Sequence, residues 1–477
     1  MSRGPALLAS ARRIAPLAWP VFIGQLAVLV FSTTDTVLVA RHSGLDLAAL
    51  AVGSATYITV FVGSMGVVLA VGPIVGQLFG ANRLHEAGRQ LHQAMWLALL
   101  LALVGCTVLL FPQPFVSLSR AQPEVEAKMR AYLGALAFAL PAALLFTAFR
   151  GFNTAVSRPK MVMALQLGAL LLKVPLSALL VYGVSLPTPF GALTVPSLGA
   201  PGCGVATAIV MNLQMLAAWW VLKRDPFYLP FVLQRGLAAP DRASLVGLLR
   251  LGLPMGASIM IEVTGFTFLA LFISRIGAAP VAGHQIAANL VALMFMMPLA
   301  IGNASGTLVA QRIGAGDARD ARRLSWHALQ IGVLIAAGLG TAVYWLRDTI
   351  LNLYTHDAGI AAAAFPLLAW VVLFHVADAA QTVAAFVLRA YRIATVPLLI
   401  YAFAIWGVGL GGGYVLAFDT SGWVPEGLRG ARGFWAAATL GLVVAGGGMA
   451  IFLGWMLARQ RDREREAREP QPAVSSV

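Results

Sequence analysis

Residues 72–81 read GPIVGQLFGA and residues 306–315 read GTLVAQRIGA. Each stretch closes an apolar run of about the length needed to cross a bilayer, some 20 residues. They lie 234 residues apart, and Gly72, Val75, Gln77, Gly80 and Ala81 fall on Gly306, Val309, Gln311, Gly314 and Ala315. The same offset places Pro20 on Pro254, Arg41 on Arg275 and Phe61 on Phe295. Without a gap, it then places Ala87, Arg89 and Ala94 on Ala321, Arg323 and Ala328. A repeat of six crossings returns the chain to the side on which it began. The halves are therefore parallel repeats, related by a pseudo-twofold axis along the membrane normal. Two such lobes around an interface cavity make a transporter architecture, whereas channels more often assemble a pore from several subunits.

Working outward, the apolar runs give twelve candidate crossings, at 14–40, 47–75, 91–111, 131–150, 161–184, 202–222, 251–274, 281–309, 325–346, 359–388, 396–417 and 433–457. The fold expected is an all-α membrane protein with two six-helix lobes. Residues 1–222 would form the N-terminal lobe, 223–250 a cytoplasmic linker, 251–457 the C-terminal lobe and 458–477 a charged cytoplasmic tail. Composition agrees. Of 477 residues, 59% are hydrophobic and 11% charged, against about 25% charged in an ordinary soluble domain. That excludes a cytosolic enzyme, a secreted disulfide scaffold and a disordered chain. Cys106 and Cys203 lie in apolar stretches with no metal or disulfide spacing. No cleavable signal peptide is visible.

A net charge of +14 suggests nucleic acid in a soluble protein; here it reflects basic loops. With the N-terminus inside, 24 Lys and Arg side chains fall on the inner side, 8 on the outer side, and Lys173 within a span. Basic residues concentrate on the cytoplasmic side, so both termini are expected in the cytoplasm. The tail RQRDREREARE, from Arg459 to Glu469, alternates in sign. It reads as a solvated helix end or as a lipid or partner contact.

Nineteen acidic residues sort into sixteen in loops, turns or tail and three inside spans: Asp35, Glu262 and Asp378. A charge at mid-bilayer costs at least about 2.5–3.5 kcal/mol, so such groups are read as functional. Low dielectric disfavours the ionised carboxyl, which then takes up a proton readily. Two carboxylates can also clamp a small cation. An organic cation competing for the same charge gives antiport without covalent chemistry. Asp35, six residues before Arg41, could instead cap or pair near an interface.

Other polar groups fall on the same helices. Phe374, Asp378, Gln381, Thr382 and Ala385 share one face of span 10 by their spacing. Phe374 offers a ring to an aromatic cation or packs as an ordinary core aromatic. Gln285 and Asn289, four apart in span 8, face together as a ligand site or as interhelical glue. Lys173 either pairs with Asp35 or snorkels to an interface; Phe374, Gln381, Gln285, Asn289 and Lys173 are the candidate lining of the substrate cavity. His284 and His375 read as neutral hydrogen-bonded packing residues or as a proton relay. Pro20 and Pro254 match in the repeat and mark a shared hinge. Pro175 and Pro366 lie in or near other spans, and glycines cluster at 407–413 and 446–448. No HExxH, GxSxG or clustered metal set points to an enzyme.

Several segments carry a family resemblance: Trp19-Pro20 with Thr34-Asp35-Thr36, LGAPGCGVATAIV at 198–210 and GLPMGASIMIEV at 252–263. GHQIAANLVALMFMMPLAIG at 283–302, and DAAQTV with LRAYR between 378 and 392, continue it. The chain resembles the multidrug and toxic compound extrusion (MATE) family in its bacterial NorM-like branch, over about residues 14–457. The resemblance implies an antiporter of the bacterial inner membrane, without a cofactor. It would export structurally diverse, mostly cationic small-molecule drugs as a monomer in lipid, with H⁺ or Na⁺ as coupling ion and no nucleic-acid partner. It assigns coupling to Glu262 and Asp378, a possible Na⁺ site between them, and an acidic role in the N-terminal lobe to Asp35. Two departures stand out. Relatives with a proposed sodium site often carry tyrosine where this chain has Phe374, which turns the expectation toward protons. Relatives also often carry asparagine just before the span 5 proline, where this chain has Lys173-Val174-Pro175. A lipid-linked-precursor flippase of the wider superfamily is the second reading, disfavoured by three intramembrane acids against one base.

Overall fold

The computed structural model of the chain describes residues 3–119, 122–188, 191–420 and 422–466. Arg120, Arg468 and the tail beyond 466 lie outside the described residues. The first half contains α1 (Arg3–Ala40), α2 (Gly44–Val68), α3 (Val71–Gly80), α4 (Leu84–Leu110), the short α5 (Gln113–Ser119), α6 (Pro123–Ala155), α7 (Pro159–Tyr182) and α8 (Ala200–Arg224). The second contains α9 (Arg242–Ser274), α10 (Ala278–Gly314), α11 (Ala318–Trp345), the short α12 (Arg347–Tyr354) and α13 (Ala358–Ala390). It ends with α14 (Thr395–Tyr401), a π-helical run Ala402–Gly411, α15 (Gly412–Phe418) and α16 (Ala431–Glu466). Twelve of the resulting segments are long and apolar enough to cross a membrane, and the chain is a multi-pass membrane protein.

The helices overrun the apolar stretches that announced them. α1 begins at Arg3 and α9 at Arg242, because a helix outside the hydrocarbon layer keeps its backbone bonds whatever its side chains. Aspartates fix several starts. Asp241 accepts from the Ser244 N–H at 3.1 Å, Asp317 from Asp320 at 3.0 Å, and Asp357 from Gly359 at 2.7 Å and Ile360 at 3.0 Å, the N-cap arrangement that satisfies orphan donors. Between α7 and α8, residues expected to be loop form an antiparallel hairpin, β1 (Val184–Thr188) with β2 (Gly191–Val195).

The lobes are not cleanly divided by sequence. Ile14 and Ala18 of α1 belong to one apolar cluster with Ala300, Ala304, Val387 and Leu457 of the second half. Leu248, Leu251 and Met255 of α9 belong to the core of the first half. Each lobe's first helix therefore starts against the other lobe. The expected linker is also shorter and more structured. Two short 3-10 turns, Pro226–Phe231 and Leu233–Arg235, dock on the first lobe. Arg158 pairs with Asp225 at 2.5 Å and lies over the Phe227 ring at 4.4 Å. The Tyr228 phenol, pushed up to about 12 by burial, donates to Asn153 Oδ1 at 2.5 Å.

One acid assigned to a loop is buried. Asp46 sits in the first turn of α2 with no exposed surface. It accepts from Lys128 of α6 at 2.7 Å and from the Ala200 N–H, which opens α8, at 3.0 Å, and bonds the His42 ring at 3.1 Å. Gly199, at φ +61°, lies against this carboxylate, where a Cβ would overlap it. One carboxylate thus ties three helix ends together. Removing one member of a buried pair costs roughly 3–5 kcal/mol. Asp46→Leu is expected to lower thermal stability in detergent more than Lys128→Met, since Lys128 is partly exposed and can turn to solvent. Equal melting temperatures for Asp46→Leu and the parent would reject the clasp.

Candidate functional site

The two repeat stretches meet. Gly80 of α3 packs so closely on α10 that a Cβ there would overlap the Gln311 carbonyl oxygen, and a Cβ at Gly314 would overlap that of Gln77. Gln77 Nε2 donates across the lobe boundary to the Ala390 carbonyl at 2.8 Å. Gln311 Nε2 donates the other way, to the Ala155 carbonyl at 2.7 Å and Ser157 Oγ at 2.9 Å. Ala390 and Ala155 end α13 and α6, which occupy equivalent places in the two halves. The contacts form a pseudosymmetric latch at the end of the bundle that also gathers both ends of the chain, where Leu7 and Ile14 share a cluster with Met456 and Leu457.

Beyond the latch, matching faces are open. Ala51, Ala55 and Ile58 of α2 are exposed, and so are their repeat partners Gln285, Asn289 and Ala292 of α10. One and two turns further along α2 the same face reaches Gly63 and Gly66, which meet Met260 and Gly256 of α9. A stripe that is interlobe contact near the latch and bare beyond it marks the walls of a cleft opening away from the latch. Gln285 and Asn289 are polar groups on that wall. Among the described residues no side-chain hydrogen bond between them occupies their amides.

The intramembrane acids lie inside the lobes instead. Asp378 is 4% exposed and accepts from Gln381 Nε2 at 2.9 Å. The same amide group reaches Thr382 Oγ1 at 3.1 Å, and Gln381 Oε1 accepts from the Tyr401 hydroxyl. Glu262 of α9 is partly exposed, and its electrostatic neighbours are Asp378 and Arg389. Among the described residues neither Glu262 nor Asp378 forms an ion pair. Arg389, counted as a loop base from sequence, is 8% exposed, stands over the Phe386 ring at 5.1 Å and is the cation facing this pocket. Tyr401 and Arg389 were missed. Tyr401 lies within the expected crossing 396–417 but carries no charge to single it out, and the loop-charge count absorbed Arg389.

In the first lobe Asp35 is 7% exposed and paired. Lys173 Nζ lies 3.0 Å from Asp35 Oδ2 with no exposed surface, which removes the snorkelling alternative and takes Lys173 off any cavity wall. Phe374 also departs from its expected place. It is buried between Phe266, at 5.9 Å, and Trp435, at 5.3 Å between ring centroids, so it offers no free ring face. His284 and His375 are buried, but not as hydrogen-bonded packing residues: His284 Nδ1 and both His375 ring nitrogens have no partner among the described residues. Pro20 and Pro254 lie inside α1 and α9, the two helices that cross from one lobe to the other.

Comparison with known proteins agrees with this arrangement. The MatE family model matches residues 20–179 and 254–415, two copies whose starts are the repeat partners Pro20 and Pro254. The chain is 39% identical over 447 residues to the probable multidrug resistance protein NorM of Aromatoleum aromaticum, covering 94% of each chain. It is 36% identical over 487 residues to the multidrug resistance protein PmpM of Pseudomonas aeruginosa, covering 100% of this chain and 98% of that one. Its fold matches the crystal structure of the Vibrio cholerae MATE transporter VcmN in the bent form at TM-score 0.82, 16% identity, and coverage of 95% of this chain and 98% of that one. Two matched half-repeats, near-full-length relatives and a shared fold leave one assignment: the chain belongs to the MatE family, the multidrug and toxic compound extrusion proteins.

Proposed function

We propose that the protein is a secondary active multidrug antiporter of the bacterial inner membrane, exporting amphipathic organic cations in exchange for H⁺. The observation that carries this reading is the acid pair Glu262 and Asp378, placed in a low-dielectric pocket with no ion-paired partner among the described residues. Two carboxylates with one nearby arginine leave a net negative place that a cation stabilises. A proton or an organic cation can each supply that charge, and occupancy by one weakens the hold on the other. Coupling then follows from differential binding to two lobe arrangements. The latch end is the cytoplasmic end, as the basic residues there argue. On that reading the lobes are closed toward the cytoplasm and part toward the outside. Gln285 and Asn289 offer amides to the passenger on the cleft wall, and α1 and α9 bend at Pro20 and Pro254 as the lobes rock. The protein works as a monomer in lipid.

Phe374 supplies no oxygen ligand beside Asp378, which favours H⁺ over Na⁺. A sodium ion would depend on Glu262, Asp378, Gln381 and Thr382 for oxygens. In proteoliposomes, an imposed pH gradient without sodium is expected to drive accumulation of a fluorescent organic cation. Transport only with a sodium gradient would overturn the proton assignment, and accumulation with neither would overturn the antiport reading. The flippase alternative is not favoured, since the relatives are named multidrug resistance proteins and the single intramembrane lysine is neutralised.

A further inference from the structure

We propose that Lys173 is a tethered counter-ion that neutralises the buried Asp35 of the first lobe, so that cation exchange is confined to the Glu262–Asp378 pocket of the second lobe. The inference rests on the antiport reading above and adds where the exchange cannot occur.

An ammonium has three donors and no acceptor, and all three of Lys173 have partners. Nζ lies 3.0 Å from Asp35 Oδ2, 3.0 Å from the Cys203 carbonyl oxygen and 2.6 Å from Thr207 Oγ1. The Phe31 ring lies 4.8 Å away. The second Asp35 oxygen, Oδ1, accepts from Ser177 Oγ at 3.1 Å. The pair thus joins α1, α7 and α8. The other titratable groups facing Asp35 are Tyr132 of α6 and Cys203 of α8.

A proton or organic cation arriving at Asp35 meets a carboxylate already holding a cation. That cation is attached to the same chain, so it competes at a high effective concentration. Displacing it would strand a buried ammonium, and an uncompensated buried charge is strongly unfavourable. The second lobe offers the opposite balance: two carboxylates facing one arginine, and no ion pair formed by either among the described residues. One lobe is closed by a built-in cation, and the other requires a mobile one. The substrate class that fits carries a single positive charge, because only one pocket is left to answer it.

The test uses the full-length protein in proteoliposomes, reading pH-driven uptake of a fluorescent monocation and the protons moved per cation. Asp35→Asn with Lys173→Met replaces the pair by neutral groups of similar shape. It is expected to keep uptake within about threefold of the parent with unchanged proton stoichiometry, because exchanging both buried partners is close to neutral. Lys173→Met alone uncovers Asp35 and is expected to raise the protons moved per cation. A double variant that is monodisperse and present at normal levels, yet as inactive as Glu262→Gln, overturns the proposal.

A second measurement does not depend on any change at the pair. Purified Glu262→Gln with Asp378→Asn is mixed with the same monocation in weak buffer. Proton release is expected to vanish. Release at the parent level would make Asp35 an exchanging group and overturn the proposal. If the parent itself neither releases protons nor transports, the antiport reading has failed, and that outcome is distinct because it precedes any change at the pair.

Discussion

Glu262→Gln and Asp378→Asn are each expected to leave cells as drug-sensitive as cells without the transporter, with membrane levels unchanged. Gln and Asn retain the shape and hydrogen bonding of Glu and Asp, so packing in the C-terminal lobe survives. In Asp378→Asn the Gln381 amide can still donate to the remaining side-chain oxygen, and Tyr401 can still donate to Gln381. What is lost is the negative charge that distinguishes a cation-loaded pocket from an empty one. A ligand with equal affinity for two states shifts nothing, and moving an equilibrium from 1:99 to 99:1 needs about 10⁴-fold differential affinity. With one carboxylate gone, Arg389 alone balances the other, and the pocket is already neutral without a mobile cation. Gradient-driven transport is then expected to fall by about 100-fold or more, into the background of the assay. Facilitated exchange of a labelled cation down its own gradient should suffer less, because it does not require coupling. Near-parental resistance in either variant would remove that residue from the exchange.

The crossing count and the repeat were legible because hydrophobic length and self-similarity are properties of the chain itself. The pairing of QLFGA with QRIGA was present in sequence only as a coincidence of letters. Its meaning, two helices crossing at glycines with each glutamine reaching the opposite lobe, needs the fold. Three intramembrane acids could be named, but not which of them are neutralised. Asp35 and Asp378 look alike in a hydropathy trace, and a lysine 138 positions further on answers one of them. Asp46 sits among HSGLD and reads as a loop acid, since its partners Lys128 and Ala200 come from distant helices. Phe374 shares a face with Asp378 by spacing, yet Phe266 and Trp435 close over it, and periodicity cannot say which face of a buried helix meets a cavity. Residues 184–195, rich in Pro and Gly, gave no strand signal, and there the pairing of two short segments made the hairpin.

The latch makes the other large prediction. Alternating access requires the contacts at Gln77, Gly80, Gln311 and Gly314 to form and break in each cycle. At Gly80 and Gly314 the hydrogen of Cα stands where a side chain would begin, against a backbone carbonyl that cannot rotate away. Normal carbon-to-oxygen contact is about 3.3–3.6 Å, so Gly80→Leu with Gly314→Leu forces the two helices apart throughout the cycle. The state closed to the cytoplasm should become inaccessible, and transport should stop although each lobe still folds on its own core. Gln77→Ala with Gln311→Ala acts more gently. It deletes cross-lobe hydrogen bonds worth about 1 kcal/mol each, which moves the balance of states by roughly 10- to 100-fold without blocking either. A cysteine placed at Ala310 of α10, buried against Gly76 of α3 across the lobe boundary, reports the difference to an impermeant thiol reagent added from the cytoplasmic side. Protection is expected in the parent, partial labelling in the glutamine variant and full labelling in the leucine variant. Equal protection in all three would mean that the glycine crossing is not the gate, and that the matching stretches serve packing alone.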